Sequence, residues 1–324
     1  MCTALSLNTR YHYFGRTLDI DRSYGEEVCI LPRSFPIIFS EAGELKRHSA
    51  IIGMASVANG TPLFYDAVNE HGLAMAGLSF PENACYFPPT VEKRNVASYE
   101  LISLVLCQCK STAEAEAWLS GIVITDARAD DELPTTPLHW MVSDERESIV
   151  VEQTADGLCI YPNAVGVLAN NPPFPAQLEG LKEYEHLTND NGRIRTENAL
   201  PYSCCGNGLG AVGLPGDTSS SSRFVRAAFG RKYSVCDEDE IASVGQFFHL
   251  MSSVEVAQGL CRTDDGAWNK TVYTSCINTA KGRYYYTTYG NRRISCVDMH
   301  KTDLDSQKLT RFPISNDQSV RYIN

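Results

Sequence analysis

The chain opens MCTALSLNTRYHYFGRTLDI over residues 1–20, and the pattern in this stretch decides the fold. Thr3 to Leu7 alternates in the manner of a strand, and Tyr11 to Arg16 does so again after the polar break Asn8-Thr9-Arg10. This is a β-hairpin pattern. With the turn centred on Thr9 and Arg10, antiparallel pairing sets Cys2 and Thr3 opposite Arg16 and Thr17. The segment Gly15-Arg16-Thr17-Leu18-Asp19 then runs beside the first thiol of the chain.

That thiol is in second place. Once Met1 is trimmed, as is usual before a small residue, Cys2 carries both a thiol of reference pKa about 8.5 and an α-amine of about 7.7 to 8.0. One residue then holds a nucleophile and its own base. Position alone is weak, because there are 12 cysteines in 324 residues and most cysteines are small buried hydrophobes.

Further strands are expected at Glu27 to Leu31, Ala50 to Gly53, Leu73 to Leu78, Leu138 to Ser143, Ser148 to Glu152, Leu158 to Tyr161, Val272 to Asn278 and Arg283 to Tyr289. Helical signals come in pairs. Tyr99 to Cys109 is an apolar run too long for a comfortable strand, and Ser111-Thr112-Ala113-Glu114 is a capping box opening a second helix through Leu119. Ser222 to Arg231 and Asp237 to Ser253 form the later pair, the last opened by four acidic residues at the positive end of its dipole. Strands, two helices, strands, two helices and strands predict an α+β fold, a four-layer αββα sandwich of two antiparallel sheets flanked by helix pairs. No repeat, low-complexity tract or linker divides residues 1–324, so a single domain is expected.

A net charge of -11 and a pI near 5.1 argue against nucleic acid or an anionic membrane surface as partner. The N-terminus lacks a basic region followed by an apolar core, and no stretch approaches a membrane span, so a cytoplasmic protein with reduced thiols is expected. Cys107 and Cys109 form a CxC, and Cys204 and Cys205 are adjacent. Neither has zinc-site spacing, and none of the seven histidines, including His71, His139 and His249, sits in a metal motif. No metal or organic cofactor is implied.

Several motifs together resemble one family. MCTALSL at the start, FGRTLDI at 14–20, NEHGLAMAGLSFP at 69–81, LHWMVSD at 138–144, VGVLANNPPF at 165–174, GLPGDTSSSSRF at 213–224 and YTSCIN at 273–278 are similar to the choloylglycine hydrolases. These are the conjugated bile salt hydrolases and penicillin V acylases, within the N-terminal nucleophile hydrolases. The motifs are collinear from residue 1 to near the C-terminus.

The resemblance implies that Cys2 is the nucleophile after loss of Met1. Its thiolate would attack an amide carbonyl while the α-amine takes the proton, and an acyl-thioester would form and be hydrolysed. The family's arginine and aspartate fall on Arg16, which would favour thiolate by charge, and Asp19, which would orient the α-amine. Asn170 matches the family's oxyanion donor, and Arg223 the last member of the set. Ser79 stands where bile salt hydrolases usually carry asparagine, and penicillin V acylases often tyrosine. Its main-chain N–H keeps the family's oxyanion role. Leu18 and Leu133 fall at substrate contacts. The expected substrate is a glycine- or taurine-conjugated bile salt, with penicillin V acylase as the alternative, and the resemblance also implies a homotetramer. A non-catalytic thiol-rich ligand-binding or redox-sensing protein is the competing class, and it leaves the placement of Arg16, Asp19, Asn170 and Arg223 unexplained.

Overall fold

In a computed structural model, residues 1–128, 135–190 and 206–324 are described. The opening residues form the expected hairpin, with strand Cys2–Asn8 antiparallel to His12–Ile20. Its register differs by one residue from the expected one. Cys2 lies opposite Leu18 and Asn8 opposite His12, because Tyr11 belongs to the turn: Thr9 N–H donates to Tyr11 O at 3.0 Å. The connection is three residues centred on Arg10. Since side chains alternate along a strand, this slip decides the faces. Cys2, Arg16 and Leu18 share one face of the hairpin; Thr3, Thr17 and Asp19 share the other.

The hairpin sits inside a seven-stranded antiparallel sheet among the described residues. Its order is Val167–Leu168, Cys2–Asn8, His12–Ile20, Trp268–Asn278, Arg283–Thr288 and Ser295–Asp298, with Cys261–Arg262 paired to the start of Trp268–Asn278. A second, eight-stranded sheet runs Gly157–Pro162, Ser148–Thr154, Leu138–Ser143, Ala74–Ser79, Thr61–Asn69, Ile51–Ala58, Glu27–Leu31 and Thr310–Pro313. Every neighbouring pair in it is antiparallel.

Both sheets are covered on both faces. Helices α1 (Leu101–Gln108) and α2 (Thr112–Leu119) pack on the eight-stranded sheet, and their apolar contacts form one core. Beyond α3 (Phe174–Leu181), helices α4 (Ser220–Tyr233) and α5 (Glu240–Ser252) pack on the seven-stranded sheet. A second core runs between the sheets and on to α4 and α5. The result is the αββα sandwich expected of an N-terminal nucleophile hydrolase. Two-sided cover explains why Cys2 to Leu7 is buried throughout instead of alternately.

Local chemistry sets the helix ends. Ser111 Oγ accepts from Glu114 N–H at 3.2 Å, while the Glu114 carboxylate takes the N–H of Lys110 at 2.8 Å, one residue before the cap. Asp239 caps α5 by accepting from Ile241 and Ala242, so that helix begins later than Asp237. Strand Thr61–Asn69 and helix α3 are not among the sequence expectations. In Thr61–Asn69, a proline at the second position and an internal aspartate argue against a strand. The aspartate, Asp66, is fully buried.

Gly15 serves a close approach. A Cβ there would lie 2.1 Å from the main-chain oxygen of Ser275, so only glycine lets the hairpin meet Trp268–Asn278 at this distance. Among the described residues, no helix is long and apolar enough to cross a membrane.

Candidate active site

Cys2 begins the first strand and is 2% exposed. Met1 extends the pairing by one residue, exchanging main-chain hydrogen bonds with Asp19, and its Sδ lies 3.7 Å from the half-buried Cys261 thiol. The main chain of Cys2 is held from two sides. Its N–H donates to Asn170 Oδ1 at 2.7 Å, and its carbonyl accepts from Arg223 Nη1 at 2.5 Å.

Asn170 and Arg223 also hold each other. Arg223 Nη2 donates to Asn170 Oδ1 at 2.7 Å, Nη1 also donates to Thr3 Oγ1 at 2.6 Å, and Nε donates to Thr218 O at 3.1 Å. Every nitrogen of this guanidinium is occupied. Arg223 lies in the first turn of α4, where a cation opposes the helix dipole, and it is fully buried. Burial pushes its pKa down, against the charges of Asp19, Cys2 and Cys261. Asn170 Nδ2 donates to Ser79 O at 2.7 Å, which leaves its second amide hydrogen unspent.

The Asn170 loop is braced from behind. Gln177 Nε2 donates to the carbonyls of Asn170 and Pro172. His139 Nε2 meets Ala169 O at 2.7 Å, its Nδ1 meets Glu152 Oε1 at 2.9 Å, and Glu152 takes the N–H of Phe174. His139 also stacks on Phe80 with ring centroids 4.2 Å apart. Both groups of the His139–Glu152 pair are fully buried, and no spacing in the sequence points to their joint task.

Asp19 and Arg16 lie on opposite faces of the hairpin. The Asp19 carboxylate accepts from Thr17 Oγ1 at 2.9 Å and Thr271 Oγ1 at 2.6 Å, so it is Asn170 and not this carboxylate that binds the Cys2 nitrogen. Arg16 is on the face of the Cys2 side chain, fully buried between the sheets. Its Nε donates to Thr17 O and its Nη1 to the carbonyls of Tyr65 and Gly77. Its Nη2 has no hydrogen-bond partner. Burial opposes this charge, but Cys2, Tyr273, Asp66 and Asp19 outweigh it and hold the pKa above the ordinary arginine value. A buried cation with one unspent donor on the face of a thiol favours the thiolate.

Leu18 lies directly opposite Cys2 and is buried. Leu133, Cys204 and Cys205 lie outside the described residues. The ten described cysteines are all unpaired. Among the described residues, no group of three or more His, Cys, Asp or Glu side chains is placed to hold a metal ion.

Six of the residues singled out in the sequence, Cys2, Arg16, Asp19, Ser79, Asn170 and Arg223, are thus linked by contacts or shared charge at one end of the hairpin. Comparisons with known proteins agree in extent. A family described as linear amide C–N hydrolases, choloylglycine hydrolase family, matches residues 2–312. The chain is 41% identical over 324 residues, and all of both chains, to a bile salt hydrolase/transferase of Lactiplantibacillus plantarum. It is 35% identical to that of Clostridium perfringens, again over the whole of both. The crystal structure of a mutant conjugated bile acid hydrolase from Clostridium perfringens superposes with a TM-score of 0.93 at 35% identity, covering 100% of each chain. A penicillin V acylase from Agrobacterium tumefaciens shares the fold, with a TM-score of 0.75 at 20% identity over 98% of this chain and 93% of the other. The N-terminal cysteine, the fold built around it and these full-length matches lead to one assignment: the chain belongs to the choloylglycine hydrolase family of linear amide C–N hydrolases.

Proposed function

We propose that this enzyme hydrolyses the amide bond of glycine- or taurine-conjugated bile salts, using Cys2 after removal of Met1. The observation that carries the reading is the two-sided hold on Cys2 by Asn170 and Arg223. Removing Met1 turns the Cys2 nitrogen into a free α-amine that stays within reach of Asn170 Oδ1. Full-length relatives named as bile salt hydrolases supply the substrate class.

In this reaction the Cys2 sulfur attacks the amide carbon, and its proton passes to the α-amine. The tetrahedral oxyanion is met by the unspent hydrogen of Asn170 Nδ2 and by the main-chain N–H of Ser79. The carbon–nitrogen bond breaks, and the glycine or taurine amine leaves with the proton. Water then attacks the thioester, giving the free bile acid and restoring the thiol. Arg16 stabilises the thiolate, Asp19 anchors the strand beside the amine through Thr17 and Thr271, and Arg223 fixes Cys2 and Asn170. Leu18 and Leu133 contribute apolar contact to the steroid. The form proposed is a cytoplasmic homotetramer of single-domain subunits.

A substrate panel on the wild-type protein, with intact mass measured on the same sample, tests the reading. Loss of Met1 together with release of glycine or taurine is the expected result. Release of 6-aminopenicillanic acid from penicillin V without bile salt cleavage would replace the substrate class and leave the chemistry. Retention of Met1 with full activity in Cys2→Ala would end the nucleophile assignment.

A further inference from the structure

Between the two sheets lies an acid with no part in the reaction described above. Asp66, in strand Thr61–Asn69, is fully buried and accepts three hydroxyl hydrogen bonds from the opposite sheet: Tyr273 at 2.5 Å, and Ser275 and Tyr284 at 2.8 Å each. Three O–H donors on two oxygens suit an ionised carboxylate, which only accepts.

The same cluster grips Arg16. Ser275 Oγ accepts the Arg16 main-chain N–H at 3.0 Å while donating to Asp66, and the carbonyl of Tyr65, next to Asp66, accepts from Arg16 Nη1 at 3.2 Å. Charge bookkeeping points the same way. The region holds two fully buried guanidinium groups, Arg16 and Arg223, and two fully buried acids, Asp19 and Asp66. Asp19 and Cys2 act on both arginines, whereas Asp66 acts on Arg16. Two ionised aspartates match the two guanidinium charges.

We propose that Asp66 is a positioning residue for Arg16: an ionised carboxylate, locked by three hydroxyls, that shares the guanidinium with the Cys2 sulfur and sets how much of its charge the sulfur receives. The inference rests on the reading of Cys2 as the nucleophile. Burial pushes the Asp66 acid up, and Arg16, Tyr273, Tyr284 and Ser275 limit that rise without cancelling it. Apart from Tyr273 and the α-amine that Cys2 itself gains on loss of Met1, the other charged or titratable groups coupled to Arg16 and Cys2 are Asp19 on the partner strand, Arg223 on α4 and, through Arg223, Cys261 on the adjoining short strand. None of these bonds to Asp66.

The test is the pH dependence of Cys2 alkylation in the mature enzyme, followed on the N-terminal peptide by mass spectrometry because other thiols also react. In Asp66→Asn the Arg16 charge acts undivided on the sulfur, so the alkylation midpoint falls by about one pH unit, and the acid limb of kcat/KM moves down with it. Tyr284→Phe disturbs the same packing without removing charge and leaves the midpoint where it is. A midpoint that stays or rises in Asp66→Asn, or that falls equally in Tyr284→Phe, overturns the inference. Should Asp66→Asn not fold, the wild-type enzyme labelled with carbon-13 at its aspartate side-chain carboxyls decides by NMR. Ionisation of every aspartate at neutral pH supports the inference, and a protonated aspartate whose signal persists in Asp19→Asn overturns it. Activity persisting in Cys2→Ala would remove the underlying reading, whereas an inactive Cys2→Ala beside an unmoved Asp66→Asn midpoint overturns this inference alone.

Discussion

Asn170 Oδ1 lies 2.7 Å from the main-chain nitrogen of Cys2, although 168 positions of sequence separate the two residues. The same oxygen accepts from Arg223, and the same side chain donates to Ser79 O. One amide therefore connects the start of the chain, the Ala74–Ser79 strand and α4.

Asn170→Asp separates the two ends of that amide. The substitution keeps an oxygen for the Cys2 nitrogen and Arg223 but removes the donor proposed to face the oxyanion. We expect kcat to fall by about 10²- to 10³-fold, as when such a donor is deleted, and folding stability to fall by about 1–3 kcal/mol because the Ser79 carbonyl loses its donor. Steady-state kinetics beside urea unfolding checks both halves.

Arg223→Lys preserves charge and loses geometry. A single ammonium cannot reproduce the fork that spans Cys2 O, Thr3 Oγ1 and Asn170 Oδ1. Misplacing the nucleophile by about 1 Å is expected to lower kcat by about 10²-fold. A variant with wild-type kcat would show that the fork is dispensable.

Gly15→Ala tests the fit between strands. Its Cβ would meet the Ser275 oxygen at 2.1 Å, so the hairpin must move away from Trp268–Asn278. The expected cost is about 1–3 kcal/mol of stability. Arg16 is the next residue, so activity should fall as well; thermal unfolding and kcat/KM on one preparation read both effects.

His12 makes stability depend on pH at the far end of the hairpin. Its ring is bound by Ser6, Ser143 and Thr279 hydroxyls, and burial, assisted by Arg231 and opposed by Asp144, lowers its pKa from 6.5 to about 4. The folded form keeps this histidine neutral. Its contribution is therefore present above the unfolded value of 6.5 and is lost as pH falls from there toward the folded value of about 4. The full loss is about 3 kcal/mol. Urea unfolding of wild type and His12→Gln at about pH 7.5 and about pH 5 should show the wild type losing more stability on acidification.

The hairpin and the two helix pairs were legible because they obey local rules. Period-two alternation, the Ser111 cap and the acidic opening of α5 all act within a few residues. The register was not legible, because it depends on whether Tyr11 joins the turn or the strand, which a single hydrogen bond from Thr9 decides. Strand Thr61–Asn69 was hidden for a different reason. Asp66 lowers strand propensity in isolation, and the hydroxyls that make its burial tolerable come from residues 273, 275 and 284.

The site divides along the same line. Pairing across the hairpin brings the segment of Arg16 and Asp19 beside Cys2, while the register that sorts them onto opposite faces comes from the structure; Asn170 and Arg223 are brought in by the sheet edge and by α4 and emerge only from the collinear motifs. The brace of His139, Glu152 and Gln177 behind Asn170 carries no motif. Each member is an isolated polar residue whose partners become neighbours only when the sheets and α3 assemble.

The pairing of Met1 with Asp19 bears on timing during synthesis. The Met1–Cys2 bond, whose cleavage the proposed function requires, lies at the start of an interior strand, where Cys2 is 2% exposed and its nitrogen and carbonyl are engaged. A peptidase needs that bond extended and free. Asn170 and Arg223 leave the ribosome long after Cys2, so the proposed removal of the methionine belongs to the interval before they emerge. Once the nascent chain has closed around its first residues, the opportunity is gone.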